Sequence, residues 1–324
     1  MLNNPSDHYD LDALLSGDDR VVSRLIRRIE DGDPAVRPAL KALYRRGGSA
    51  RIIALTGPPG VGKSTLADQL IEALRAEGKR VAVLAVDPTS PFTGGAILGD
   101  RIRMGRHFAD KGVFIRSMAT RGHLGGLARA TGEAALVLDA MGWDIVLIET
   151  VGVGQAEIEA VYLAETVILA LAPGGGDDVQ AAKAGIMEIA HIFVVNKARR
   201  EGADSAVKQI EESLNQRPGE GEGDWRPPVL KCEALAGEGI GEIVRALEER
   251  REYLSAHPPA AQNLRRVQAR QMLSETFRAL AAERFVSARE GEPAFEALLA
   301  AIAAREEDPY TAAERLLGTG GAGQ

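Results

Sequence analysis

Cysteine is nearly missing: Cys232 is the one thiol in 324 residues. That excludes an internal disulfide and a thiolate-rich metal cage, and it predicts a reducing compartment such as the cytoplasm. Histidine is also scarce, with five residues and no metal-ligand spacing. A basic excess is absent, since 39 Lys and Arg against 46 Asp and Glu leave a net charge of −7. This argues against a nucleic-acid coat or a polybasic membrane anchor. The first residues include Asn3, Asn4, Asp7, His8 and Asp10, which is no apolar signal-peptide core. Apolar runs such as Val167 to Ala172 are far too short to span a bilayer. These absences predict a soluble cytoplasmic protein with neither nucleic acid nor membrane as partner. What remains is a globular mix, 45% hydrophobic and 26% charged, which suffices for a packed core.

Three regions differ in texture. Residues 1–48 carry a helical period, with Val22, Leu25, Ile26 and Ile29 at i, i+3, i+4 and i+7. They read as an N-terminal helical extension that stops, or hinges, at Arg45-Arg46-Gly47-Gly48. Across 49–255, short β-branched runs alternate with helical patterns. The runs are Ile52–Thr56, Val81–Val86, Val113–Ser117, Ile145–Glu149, Val167–Leu171, Ile192–Asn196 and, more weakly, Val229–Leu230. Continuous apolar strands separated by helices predict an α/β fold with a mostly parallel sheet covered on both faces. Residues 256–324 show no strand signal and read as a C-terminal helical arm, with Leu273, Phe277 and Leu280 along one face. Pro218–Pro228, rich in Gly, Pro and Glu, reads as a mobile loop.

The clearest chemistry lies at Gly57-Pro58-Pro59-Gly60-Val61-Gly62-Lys63-Ser64, followed by Thr65. This matches G-x-x-x-x-G-K-[ST], sits directly after a strand and opens a helix, the context that makes a P-loop. Glycines let backbone N–H groups converge on phosphate oxygens, and the helix N-terminus adds partial positive charge. Lys63 would reach the β- and γ-phosphates and the Ser64 hydroxyl would ligate Mg²⁺. Glu149-Thr150-Val151-Gly152 places a carboxylate at a strand's carboxyl end, where ligands collect in open α/β sheets. Gly152 would let a backbone N–H approach the γ-phosphate. Asp87 ends another strand similarly, and both acids are candidate Mg²⁺ ligands, directly or through water. Gln155 is a water-positioning candidate by residue type alone.

Base recognition follows an imperfect pattern. Asn196-Lys197 closes a buried strand as in the N-K-x-D element of guanine-binding GTPases, but Arg199 stands where the aspartate belongs. The later loop Cys232-Glu233-Ala234 sits where many GTPases carry a Ser-Ala pair whose backbone N–H meets the base. Glu201, Asp204 and Glu233 are the carboxylates that could stand in for the aspartate; the plain alternative for Asp204 is a cap on a helix at Ala206–Leu214.

Taken together, the chain resembles the methylmalonyl-CoA mutase-associated GTPases, the MeaB/ArgK family. The likeness is carried by GPPGVGKST at 57–65, DPTSPFTGGAILGDRIRM at 87–104, SMATRGHLGGLA at 117–128, DIVLIETVGVGQAE at 144–157 and PGGGDDVQAAKAGIMEIAH at 173–191. The resemblance implies a P-loop GTPase domain over 49–255 that binds GTP and GDP with Mg²⁺ and hydrolyses GTP slowly. It implies a homodimer formed through the C-terminal arm, and a chaperone role in loading cobalamin into, and protecting, an adenosylcobalamin-dependent acyl-CoA mutase. Ser64, Asp87, Asp100 and Glu149 would surround the metal. Nucleotide-responsive switches would lie around 87–105, 149–158 and 174–184, the last carrying Lys183. Three other functions compete: an ATP-dependent kinase or ATPase of the same P-loop class, which Arg199 keeps open; a nickel-insertion GTPase, which the scarcity of Cys and His disfavours; and a mainly structural adaptor whose nucleotide merely stabilises a dimer.

Overall fold

Val22, Leu25, Ile26 and Ile29 are at most 1% exposed, on one face of helix α1 (Asp19–Glu30). The computed structural model describes residues 18–87, 105–119, 126–150, 152, 161–174, 186–216, 224–286 and 289–318. The Asp18 carboxylate starts α1 by accepting the Arg20 N–H at 2.8 Å, satisfying one of the free donors of a helix N-terminus. After a 3-10 turn, α2 (Arg37–Tyr44) follows, and both helices pack on α4 (Gly126–Ala140).

Seven strands form one parallel sheet: β1 (Arg51–Thr56), β2 (Val81–Asp87), β3 (Val113–Ala119), β4 (Ile145–Thr150), β5 (Thr166–Leu171), β6 (Ile192–Asn196) and β7 (Val229–Cys232). Their order is β3-β2-β4-β1-β5-β6-β7, and every pairing is parallel. The α/β class expected from the alternating runs is the one observed. β4, β5 and β6 are buried along their whole lengths, so both sheet faces need apolar cover. That is why these strands read as unbroken apolar runs rather than alternating ones.

On one face, α3 (Lys63–Ala76) and α7 (Ile240–Ala256) bring Leu66, Leu70, Ile243 and Leu247 against Ile53, Leu55, Leu147 and Ile168. Near the other edge of the sheet, α5 (Ile186–Ile189) and α6 (Ala203–Asn215) place Ile186 and Ile210 against Leu169, Leu171, Phe193 and Val195. Each such side chain contributes roughly 1.5–3 kcal/mol on burial. The order places β1 between β4 and β5, so the turn leaving β1 opens beside the carboxyl ends of both neighbours.

The Arg45–Gly48 stretch is a helix stop, and the backbone leading from it into β1 is pinned. Asp139, near the end of α4, accepts backbone N–H groups from Gly48, from Ser49 at 3.0 Å and from Ala50 at 2.7 Å. Residues 224–228 are also anchored, unlike the mobile loop expected across 218–228. The Trp225 indole N–H donates to the His191 carbonyl at 2.8 Å, and the Arg250 guanidinium lies 5.2 Å from its ring centroid.

Contacts gather the chain into two units, Met1–Gln271 and Met272–Gln324. Helix α8 (Pro258–Phe285) ends within the second. Beyond it, α9 (Pro293–Ala303) and α10 (Pro309–Gly318) bury Phe295, Leu298 and Ala312. Among the described residues no helix is long and apolar enough to cross a membrane.

Candidate functional site

The turn from β1 into α3 is shaped by two glycines whose replacement would be strained. Gly57 has φ +146°, and a Cβ there would stand 2.0 Å from the Ala170 carbonyl oxygen of β5. Gly62 has φ +92°, and its Cβ would meet the Asn196 side-chain nitrogen at 2.6 Å. Both combine a left-handed backbone with close approach, conditions that only glycine meets without strain. Pro58 is buried, whereas Pro59 and Gly60 are exposed at the tip, and Thr65 sits half-buried in the first turn of α3.

Lys63 is only 6% exposed. Its ammonium curls back over the loop, donating to the Gly57 carbonyl at 2.7 Å and the Pro58 carbonyl at 2.9 Å. A buried ammonium needs such partners, because desolvating it alone costs several kcal/mol. The neighbouring Ser64 hydroxyl donates to Glu149 Oε1 at 2.6 Å, joining the P-loop to the end of β4. Hydroxyl and carboxylate oxygens are the hard donors that Mg²⁺ takes, so this pair fits the metal expected there.

Two threonines, not singled out in the sequence, set the position of Gly152. The Thr150 hydroxyl lies 2.9 Å from the Gly152 carbonyl and 3.0 Å from the Thr56 hydroxyl. Both threonines are fully buried. Their signal was weak, because threonine at a strand end usually records β-propensity alone.

Asn196 ties three loops together. Its amide donates to the Val61 carbonyl at 2.9 Å, while its carbonyl oxygen accepts the N–H groups of Lys197 at 2.8 Å and Ala234 at 3.1 Å. Lys197, with φ 59°, reaches back so that its ammonium donates to the Gly60 carbonyl at 2.5 Å. P-loop, Asn-Lys turn and Ala234 loop thus form one hydrogen-bonded floor. Cys232 belongs to that floor through its backbone: its carbonyl accepts the Ala198 N–H at 3.0 Å. Its thiol is buried, and burial with the nearby Glu233 and Glu242 carboxylates pushes it up to about 12. It has the character of a core residue, not of a nucleophile.

Arg199 departs from the N-K-x-D pattern in composition and also in direction. Its guanidinium pairs with Glu238, the Nε contact being 3.3 Å, and that partner raises its pKa further. Its backbone N–H donates to Glu233 Oε2 at 3.2 Å. Asp204 lies in the first turn of α6, whose N-cap is Gly202. There its carboxylate accepts from the Lys231 ammonium at 2.9 Å, so it is a surface ion pair instead of the helix cap considered from the sequence.

The structure therefore brings together Lys63, Ser64, Glu149, Gly152, Asn196, Lys197, Glu233 and Ala234 around the P-loop. Asp100, Gln155 and Lys183 lie outside the described residues, as does the Asp87 side chain, although the Asp87 backbone closes β2. Glu238 carried no sequence signal, since only the folded 233–238 loop brings it to Arg199.

A family model described as Methylmalonyl Co-A mutase-associated GTPase MeaB matches residues 22–291. A protein of Pyrococcus abyssi assigned to the GTPases is 46% identical over 308 residues, covering 95% of this chain and 94% of its own. The methylmalonic aciduria type A homolog, mitochondrial, of Mus musculus is 40% identical over 207 residues, covering 61% of this chain and 48% of its own. Among solved structures, a LAO/AO transport system kinase superposes with a TM-score of 0.67 at 25% identity, covering 98% of this chain and 99% of its own. Since that family model spans most of the chain, this chain belongs to the methylmalonyl-CoA mutase-associated GTPases of the MeaB family and is a GTP-hydrolysing enzyme.

Proposed function

We propose that this GTPase works with Mg²⁺ and that its nucleotide state gates the loading and protection of an adenosylcobalamin-dependent acyl-CoA mutase. The observation that carries the enzymatic part is the Ser64–Glu149 hydrogen bond beside the buried Lys63 ammonium. It gathers one cation and two hard oxygen donors at the mouth of a P-loop. Phosphoryl transfer needs little covalent work from the protein, so catalysis is positioning plus charge stabilisation. Lys63 exchanges its two carbonyl partners for phosphate oxygens, and the N–H groups at the start of α3 face the same charge. Ser64 and Glu149 would hold Mg²⁺, with Asp87 and Asp100 as further ligands, and the ion would supply neutralisation of phosphate charge. Gly152, fixed by Thr150 and Thr56, offers a backbone N–H toward the γ-phosphate. By residue type Gln155 would orient water, and by the family resemblance Lys183 would belong to a third nucleotide-responsive segment.

The family's description and the name of the mouse relative support the mutase as partner. We further propose a homodimer that uses the α8 face of Leu273, Phe277 and Leu280, which is exposed in the single chain. The test is titration of a methylmalonyl-CoA mutase into the protein while GTP turnover and complex formation are followed. Expected is a complex whose affinity differs between GDP and a non-hydrolysable GTP analogue, with turnover raised by the mutase. Identical affinity in both states and unaltered turnover would remove the gating role while leaving the GTPase intact.

A further inference from the structure

We propose that Glu233 supplies the carboxylate that reads guanine, replacing the aspartate absent at position 199. The inference rests on the guanine-nucleotide reading of the site and assigns its specificity to a residue. Three successive N–H groups after Asn196 are clamped to the opposing loop or to Asn196 itself. Lys197 donates to Asn196 Oδ1 at 2.8 Å, Ala198 to the Cys232 carbonyl at 3.0 Å, and Arg199 to Glu233 Oε2 at 3.2 Å. The last contact places a carboxylate against the backbone of residue 199, where the N-K-x-D pattern would put one. Ala234, the next residue, points its N–H at Asn196 Oδ1 at 3.1 Å, so Glu233 stands at the floor that unites the P-loop and the Asn-Lys turn.

A carboxylate has about four acceptor positions, and one hydrogen bond from Arg199 leaves capacity for the two N–H donors on guanine's pyrimidine edge. Adenine presents an acceptor at the matching ring nitrogen, so the same carboxylate disfavours it. The remaining difficulty is the positive charge of Arg199, and Glu238 removes it. The Arg199 guanidinium is drawn into an ion pair with Glu238. Backbone bonds between Glu233 and Glu238, at 3.0 and 3.2 Å, close the loop that holds both acids. Glu238 is thus a positioning residue: it acts on the base through Arg199.

The test measures binding of GTP, ATP and XTP at fixed Mg²⁺ by calorimetry. In Glu233→Gln an amide can still accept the Arg199 N–H but can also donate to the C2 carbonyl of xanthine. Expected is a fall of about 10-fold or more in the GTP-to-ATP preference, equivalent to ~1.4 kcal/mol, with a gain in XTP affinity. That gain requires a folded site, so unfolding cannot imitate it. Arg199→Asp should change the wild-type preference less than about 3-fold, yet restore guanine preference when added to Glu233→Gln. Asp204→Asn, whose carboxylate is tied to Lys231 at the surface, should change nothing. If wild type prefers GTP and Glu233→Gln leaves all three affinities in ratio, this assignment is overturned while the GTPase stands. If wild type itself fails to prefer GTP over ATP, the guanine reading falls, and this assignment with it.

Discussion

Lys63 is buried without serving the apolar core, and its charge is tolerated because carbonyl oxygens accept from it. Lys63→Ala is expected to leave the fold intact and to weaken GTP binding and turnover by at least ~100-fold. Micromolar affinity retained in calorimetry would show that another group holds the phosphates. Glu149→Gln keeps the acceptor for Ser64 but removes the charge. Its expected signature is a higher Mg²⁺ concentration for half-maximal turnover, read from a Mg²⁺ titration at saturating GTP. Cys232 offers a contrast. Its folded thiol is pushed up to about 12 from a usual value near 9, so the native state holds its proton where the unfolded chain has lost it. The stability this contributes is complete below about pH 9 and declines as pH rises toward 12. The native protein should accordingly resist thiol reagents at pH 8 and react on denaturation. Fast labelling of the native form would mean that the Cys232 loop opens.

At the scale of elements, the segment joining α2 to β1 depends on Asp139. Three backbone N–H groups converge on one carboxylate, and removing it leaves them unpaired. Asp139→Ala should cost about 2–4 kcal/mol, lowering the melting temperature by roughly 5–10 °C. GTP turnover at 25 °C should be unaffected, since Ala50 precedes β1 and the P-loop lies at the strand's far end. A melting point within a degree of wild type would show that water replaces the carboxylate. The seven strands were legible in the sequence to within two residues, most clearly β4, β5 and β6, where burial along the whole strand demands unbroken apolar runs. The fixed state of Asp224–Pro228 was not legible: Gly, Pro and charge signal a loop, whereas Trp225 finds its partners, His191 and Arg250, only in the folded chain.

For the whole molecule, the exposed face of α8 is the feature a single chain leaves unexplained. Leu273 and Phe277 are 70% and 69% exposed, an exposure that a second copy would relieve. Leu273→Glu combined with Phe277→Glu is expected to convert the proposed dimer to a monomer in light scattering, with GTP binding per chain retained. An unchanged mass would move the interface elsewhere.

Local composition determined a great deal here. The strand runs, the glycine-lysine-serine turn and the first helix's apolar face arise from steric and hydrophobic rules that act over a few residues. The family resemblance rests on the same short segments. The strand order, which sets β1 between β4 and β5, was decided only by tertiary packing, and so were the meeting of Ser64 with Glu149, the tying role of Asn196 and the turn of Arg199 toward Glu238. Ser64 and Glu149 stand 85 residues apart, Asn196 and Val61 135, and Arg199 and Glu238 39. Their geometry depends on how helices and strands pack across the sheet, and no local propensity encodes that.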